Sequence, residues 1–142
     1  MADQPTPHWQ PIAQLPLIAS LIDGALDDAE EQDATLQEAK PKPHVLDDDT
    51  VGRVVKVYTE QHEDLWLYEE QLRRWHAGTL TDAQRREVER LTGQLRRLRA
   101  RIDAILALAD ELGRGTIEKV LAKSDLEMGL EFLLGHPLEW ER

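Results

Sequence analysis

The sequence predicts an all-α protein built on a long antiparallel helical hairpin, formed by residues of about 50–77 and 82–112. Along both segments apolar residues recur at alternating spacings of three and four, the heptad pattern of helices that pack side by side. Only about four residues join the two segments, so the helices should fold back on each other. No segment shows the period-two alternation that is typical of a β-strand.

A proline-rich arm and a first helix precede the hairpin. Residues 1–14 contain three prolines, which predicts an extended and partly mobile arm, and residues 15–142 are interpreted as one helical domain. Pro16 suits the first turn of a helix, where its missing N–H would have no intrahelical partner. The pattern predicts this helix over about 16–39, and Pro41 and Pro43 end it.

The second and third helices carry the two seams of the hairpin. Asp47, Asp48, Asp49 and Thr50 offer N-caps for the second helix, and its seam is Val51, Val54, Tyr58, Leu65, Tyr68, Leu72 and Trp75. Gln61 is the polar residue in that seam and can fix the register. Thr81 and Gln84 form a capping box for the third helix, whose seam is Val88, Leu91, Leu95, Leu98, Ile102, Ile105, Ala109 and Leu112. A turn centred near residue 80 places Leu65 against Leu95 and Val51 against Ala109.

Glycines predict the end of the third helix. Gly113 and Gly115 are interpreted as its C-terminal stop. Two short helices are expected to follow, one from 117 to 123 after Thr116 and one over about 125–134 after the capping box of Ser124 and Glu127.

The apolar surface is larger than one hairpin can bury. Trp66 and Leu67 lie off the seam, and the second half of the third helix is apolar on more than one face. We therefore expect a homodimer in which hairpins form a helical bundle, with another protein as a further possible partner. The residues assigned to the core or dimer seam are Tyr58, Leu65, Leu72, Val88, Leu91, Leu95, Leu98, Ile102 and Ile105.

Composition limits the classes of function. The 142 residues include 28 acidic and 17 basic side chains, a formal net charge of −11, and no cysteine. The missing cysteine excludes disulfides, thiolate metal sites and a cysteine nucleophile, and it fits a cytoplasmic location. The longest stretch without a charged residue, 4–22, has four prolines and is too polar for a bilayer span, so no membrane partner is expected. We find no catalytic constellation and predict no cofactor.

Clusters of acidic residues allow an alternative function. Carboxylates on neighbouring helices can bind Mg²⁺ or Mn²⁺, as in helical nucleotide hydrolases. The candidates are Asp28 and Glu31 on the first helix and Glu63 and Asp64 on the second. Several acids of these clusters fall opposite the seam, which favours a solvated acidic face instead.

A stripe of arginines is the other candidate for chemistry. Residues 71–102 carry nine arginines against three acids, a net charge of +6, whereas residues 1–70 sum to −12. The residues assigned to partner or phosphate contact are Arg85, Arg86, Arg90, Arg96 and Arg97. Nucleic acid is not favoured as a partner because the whole chain is acidic and no aromatic residue interleaves with these arginines. The stripe can equally meet the acidic first helix or a partner subunit.

These patterns lead to a ranked functional hypothesis. A non-enzymatic helical interaction or regulatory protein, homodimeric and of unknown process, comes first. A metal-dependent helical nucleotide hydrolase is the alternative, and nucleic-acid binding through the arginine-rich segment is the second alternative.

Overall fold

The protein is all-helical throughout the part of the chain that the structure describes. A computed structural model describes the backbone of residues 6–42 and 47–133, and the side chains of these ranges as far as residue 114. A 3-10 turn, Ile12–Gln14, leads into α1 (Leu15–Ala39), which is followed by α2 (Asp48–His76) and α3 (Asp82–Leu133). The described ranges contain no β-strand. No described helix has an apolar window long enough to cross a bilayer.

α2 and α3 begin where their capping residues predict. Asp47 caps α2, because its Oδ1 accepts a hydrogen bond of 2.7 Å from the backbone N–H of Thr50. Hydrogen bonding from the Thr50 side chain, and next this backbone bond, hold the pKa of Asp47 below its usual value. At the start of α3 the backbone N–H of Gln84 donates to Thr81 Oγ1 and the backbone N–H of Thr81 donates to Gln84 Oε1. The predicted bounds of α1 and α2 are confirmed to within two residues.

The predicted end of α3 is wrong. Instead of stopping at Gly113 and giving way to two short helices, α3 continues as one helix of 52 residues to Leu133. Gly113 has no positive φ and therefore lacks the left-handed conformation of a C-terminal glycine stop. A glycine inside a helix costs only about 0.5–1 kcal/mol relative to alanine, which the good helix formers on either side can outweigh. Trp140 and the residues after Leu133 lie outside the described residues.

α3 supplies the centre of the hydrophobic core, and both α1 and α2 pack against it. All nine residues assigned to the core or dimer seam are buried within one chain, and Val88, Leu91, Ile102 and Ile105 have essentially no exposed surface. α1 adds Ile22, Leu26, Ala29 and Leu36 to the same cluster. A single chain therefore covers the seams of α2 and α3 with its own first helix.

Two contacts between α2 and α3 lie about one helical turn later along α3 than the predicted register places them. Val51 was expected against Ala109, but its Cγ1 lies 3.9 Å from the position that a Cβ on Gly113 would occupy. Farther along, His62 Nε2 lies 3.4 Å from Asp103 Oδ1. At these two points the contacts lie about one turn farther along α3 than predicted, whereas Leu65 and Leu95, which were predicted to face each other, line one cavity.

Gly113 provides a test of the uninterrupted helix. Gly113→Ala should stabilise the protein by about 0.5–1 kcal/mol, because alanine has the higher helix propensity and the new Cβ makes an ordinary contact with Val51. Thermal unfolding followed by circular dichroism measures the change.

Gly93→Ala is the matched control, since Gly93 lies within α3 with nothing near its Cβ position. The two substitutions should raise Tm by similar amounts. A rise for Gly93→Ala with a fall for Gly113→Ala would show that α3 ends at Gly113.

Candidate functional site

The four carboxylates proposed as metal ligands are not brought together. Asp28, Glu31, Glu63 and Asp64 are all exposed. In the described ranges no group of three or more histidine or acidic side chains is arranged to hold a metal ion. These residues therefore form separate acidic patches on α1 and α2.

The arginine stripe is divided between two sides of α3. On one side, Arg90 makes two bonds of 3.0 and 2.8 Å to the carboxylate of Asp23, and Arg97 Nη2 lies 2.8 Å from Glu30. Both acids are on α1. This side of the stripe therefore meets the acidic first helix, which is one of the interpretations that the sequence allowed. The hydrogen bonds from Arg90 are the main reason that the pKa of Asp23 is lowered. Because these ion pairs are largely exposed, each contributes little free energy on its own.

The next pair in this ladder is more buried. Arg101 Nη1 donates to Asp33 Oδ2 at 3.0 Å, and only 12% of the Asp33 side chain is exposed. Asp33 Oδ1 is buried and has no hydrogen-bond partner among the described residues. Arg101 is thus the counter-ion of a buried carboxylate. Because an unpaired buried charge is costly, loss of this ion pair should destabilise the protein more than loss of its exposed neighbours.

The other side of the stripe faces a cleft between α2 and α3. This α2–α3 cleft has a volume of about 440 Å³ and is lined by Glu69, Leu72, Arg73, His76, Glu89, Thr92 and Arg96. An adjoining lobe adds Leu95 and Arg99. Of the five arginines assigned to partner or phosphate contact, only Arg96 lies in the cleft. Arg85 donates to the backbone carbonyl of His76 at 3.4 Å, and Arg86 is exposed.

Most of the charged groups around the cleft are paired. Arg73 donates to both carboxylate oxygens of Glu70, at 2.7 and 2.5 Å, and Arg74 also binds Glu70. The hydrogen bond from Arg73 is the main cause that lowers the pKa of Glu70 to about 2. Arg99 binds Glu69, and His76 Nε2 lies 3.4 Å from Glu89. Within the described side chains, Arg96 and Arg86 take part in no ion pair.

The N-terminal arm is held on α2 by a contact that the sequence did not predict. Gln71 is buried, its Oε1 accepts from the backbone N–H of Gln10 at 2.6 Å, and its amide donates back to the Gln10 carbonyl. Trp75 Nε1 donates to the same carbonyl at 2.9 Å. Trp9 lies edge-on to Trp66. Trp9 therefore folds back over α2.

Gln61 has a different environment from the one its seam position suggested. It is half-buried, and its Oε1 is enclosed with no hydrogen-bond partner among the described residues. It lines a cavity of about 190 Å³ that is bounded by all three helices, together with Leu21, Tyr68 and Leu98. No polar contact of Gln61 thus ties α2 to a particular register.

α3 extends past the ends of both other helices. Because α2 begins at Asp48 and Val51 lies level with Gly113, the remainder of α3 to Leu133 projects roughly 25 Å beyond α2 at ~1.5 Å per residue. We call residues 116–133 the α3 extension. α1 ends earlier still, since Asp33 contacts Arg101 and only six residues of α1 follow.

Comparison with known proteins gives no match: no family model, no curated protein and no solved structure is significantly similar to this chain.

Arg101→Gln should destabilise the fold by about 1–3 kcal/mol, because it leaves the buried Asp33 carboxylate without its cation. Urea unfolding measures the loss. Arg97→Gln is the control from the same ladder, and it should cost less than ~1 kcal/mol because that pair is exposed. Equal costs for the two variants would contradict the role given to Asp33.

Gln71→Ala should release the arm, because it removes both hydrogen bonds between the Gln71 amide and Gln10. The amide hydrogen of Gln10 is then expected to exchange at least about tenfold faster, the equivalent of losing ~1.4 kcal/mol of local stability. Hydrogen exchange followed by NMR measures it. Gln61→Ala is the control, and a similar acceleration there would mean that the arm is not held by Gln71.

Proposed function

We propose that this chain is a non-enzymatic, homodimeric helical interaction protein in which the α3 extension joins two copies. The observation that carries this proposal is the continuation of α3 to Leu133, past the ends of α1 and α2. The absence of cysteine supports a cytoplasmic location for the dimer.

The α3 extension needs packing to be stable. Most helical stability in proteins comes from the burial of an apolar face rather than from helix propensity. Ile117, Leu121, Met128 and Phe132 are spaced by four, seven and four residues, so they share one face of the helix. An apolar stripe on a projecting helix favours a partner that covers it.

A second copy of the same chain is the partner that best fits this stripe. Each copy supplies an identical stripe, so two extensions can pack about a twofold axis with every contact repeated. In this arrangement α2 and α3 act as an antiparallel hairpin that carries the extension. The contacts of His76 with Glu89 and of His62 with Asp103 support that hairpin, because residues late in α2 meet residues early in α3.

The competing interface is the side of α1 and α2 that faces solvent. Leu17 and Leu21 on α1 and Trp66 on α2 are large apolar side chains, each about half exposed. These residues are separate from the extension, so substitutions can distinguish the two interfaces.

The wild-type chain should behave in solution as a dimer of twice its 16.3 kDa mass. Light scattering coupled to size exclusion measures this mass. Leu121→Glu combined with Met128→Glu should yield a monomer, because charge on the shared face opposes packing of two extensions. Circular dichroism should show that α1 and α2 remain helical in this variant.

Leu17→Ser combined with Leu21→Ser is the matched control and should remain dimeric. If only the α1 variant lost the dimer, the interface would be assigned to α1 and not to the α3 extension. A compact wild-type monomer over a wide range of concentration would refute the proposal as a whole.

A further inference from the structure

The α2–α3 cleft brings three arginines and a histidine together in an otherwise acidic molecule. Arg73 and His76 reach it from α2, and Arg96 and Arg99 reach it from α3. The chain as a whole carries a formal net charge of −11. The cleft therefore differs in charge from the rest of the molecule. An anion that binds there is attracted by these residues and not by the net charge of the protein.

Arg96 differs from the other two arginines of the cleft, Arg73 and Arg99, because no carboxylate among the described residues binds it. Glu70 binds Arg73, Glu69 binds Arg99, and Glu89 lies beside His76. No acidic side chain in the described ranges pairs with Arg96. Arg73 and Arg99 are each engaged by a glutamate, so Arg96 is the cleft arginine whose five N–H donors are available for an oxyanion.

The floor of the cleft is apolar. Leu72 and Leu95, both buried, lie between the charged side chains of the two helices. Thr92 lies with them, and its hydroxyl donates to the backbone carbonyl of Val88 at 2.9 Å, so its oxygen keeps only acceptor capacity. A volume of about 440 Å³ exceeds that of a single phosphate ion and lies in the usual range for small-molecule sites.

From this arrangement we infer that the α2–α3 cleft binds a small phosphorylated molecule, whose phosphoryl group is held by Arg96 and whose apolar part rests on Leu72 and Leu95. The planar fork of the guanidinium matches two phosphoryl oxygens, and a dianionic phosphoryl group competes with the singly charged Glu69 for Arg99. Binding here is independent of the proposed dimer, because every residue involved lies within one chain and before the α3 extension.

Phenyl phosphate and inorganic phosphate are the probes, each titrated into the full-length protein at constant low ionic strength and followed by NMR of the backbone amides. Wild-type protein should bind phenyl phosphate saturably, with the largest shifts at Thr92 and Arg96. It should bind inorganic phosphate more weakly, since inorganic phosphate makes no contact with the leucines. Phenyl phosphate binding no tighter than inorganic phosphate would overturn the assignment to a phosphorylated molecule.

Arg96→Gln tests the residue that holds the phosphoryl group, and it should weaken phenyl phosphate binding at least about tenfold. Arg86→Gln is the matched control: Arg86 is also an exposed arginine of α3, but it lies outside the cleft. It should leave the affinity unchanged. Arg96→Lys keeps the charge without the fork and should bind with intermediate affinity.

Two results would refute the site. One is an Arg96→Gln variant that binds like wild type. The other is an equal loss in Arg86→Gln, which would mean that any arginine on this helix attracts the anion. Melting curves of the variants confirm that they are folded, because neither arginine contributes to the buried core.

Discussion

Burial of the unbroken apolar seam of α3 is the constraint on which the rest of the structure depends. Val88, Leu91, Ile102 and Ile105 are fully enclosed, and they are enclosed because α1 and α2 both pack on the same helix. The charged residues beside the seam then have fixed neighbours. Arginines on one side meet acids of α1, and those on the other side open onto α2. The packing of the core therefore decides which arginines of α3 are neutralised by acids of the same chain and which have no acidic partner among the described residues.

Much of the fold could be predicted from the sequence because its determinants are local. Asp47 and Thr81 mark the starts of α2 and α3 by hydrogen bonds to residues three positions later, and the heptad seams identify the buried faces. The end of α3 could not be predicted, because the same glycine can end a helix or continue one, and only its backbone conformation distinguishes the two. The register of α2 against α3 depends on the path of the five residues that connect the two helices, and no residue type in this segment specifies that path.

The candidate site was only partly predictable, for a related reason. The sequence showed the composition of the arginine stripe but not its division between two sides of α3. Arg90 faces α1 and Arg96 faces the cleft with α2, and the sequence does not show on which side of α3 each helix packs. Arg96 was singled out with four other arginines, and its partners in the cleft from α2 could not be known without the register. Gln71 was missed altogether, since its partner Gln10 is 61 residues away and a glutamine beside a seam carries no signal of its own.

The contact between the arm and α2 also gives the protein a built-in optical reporter. Three of its four tryptophans meet there: Trp9 lies against Trp66, and the Trp75 indole is bonded to the backbone of Gln10. Arg74 lies 4.4 Å from the centre of the Trp9 ring, so a cation also stands beside one of these fluorophores. Intrinsic emission is therefore weighted towards the contact of Trp9 and Gln10 with α2. An unfolding curve recorded by fluorescence and one recorded by helical ellipticity describe different parts of this molecule.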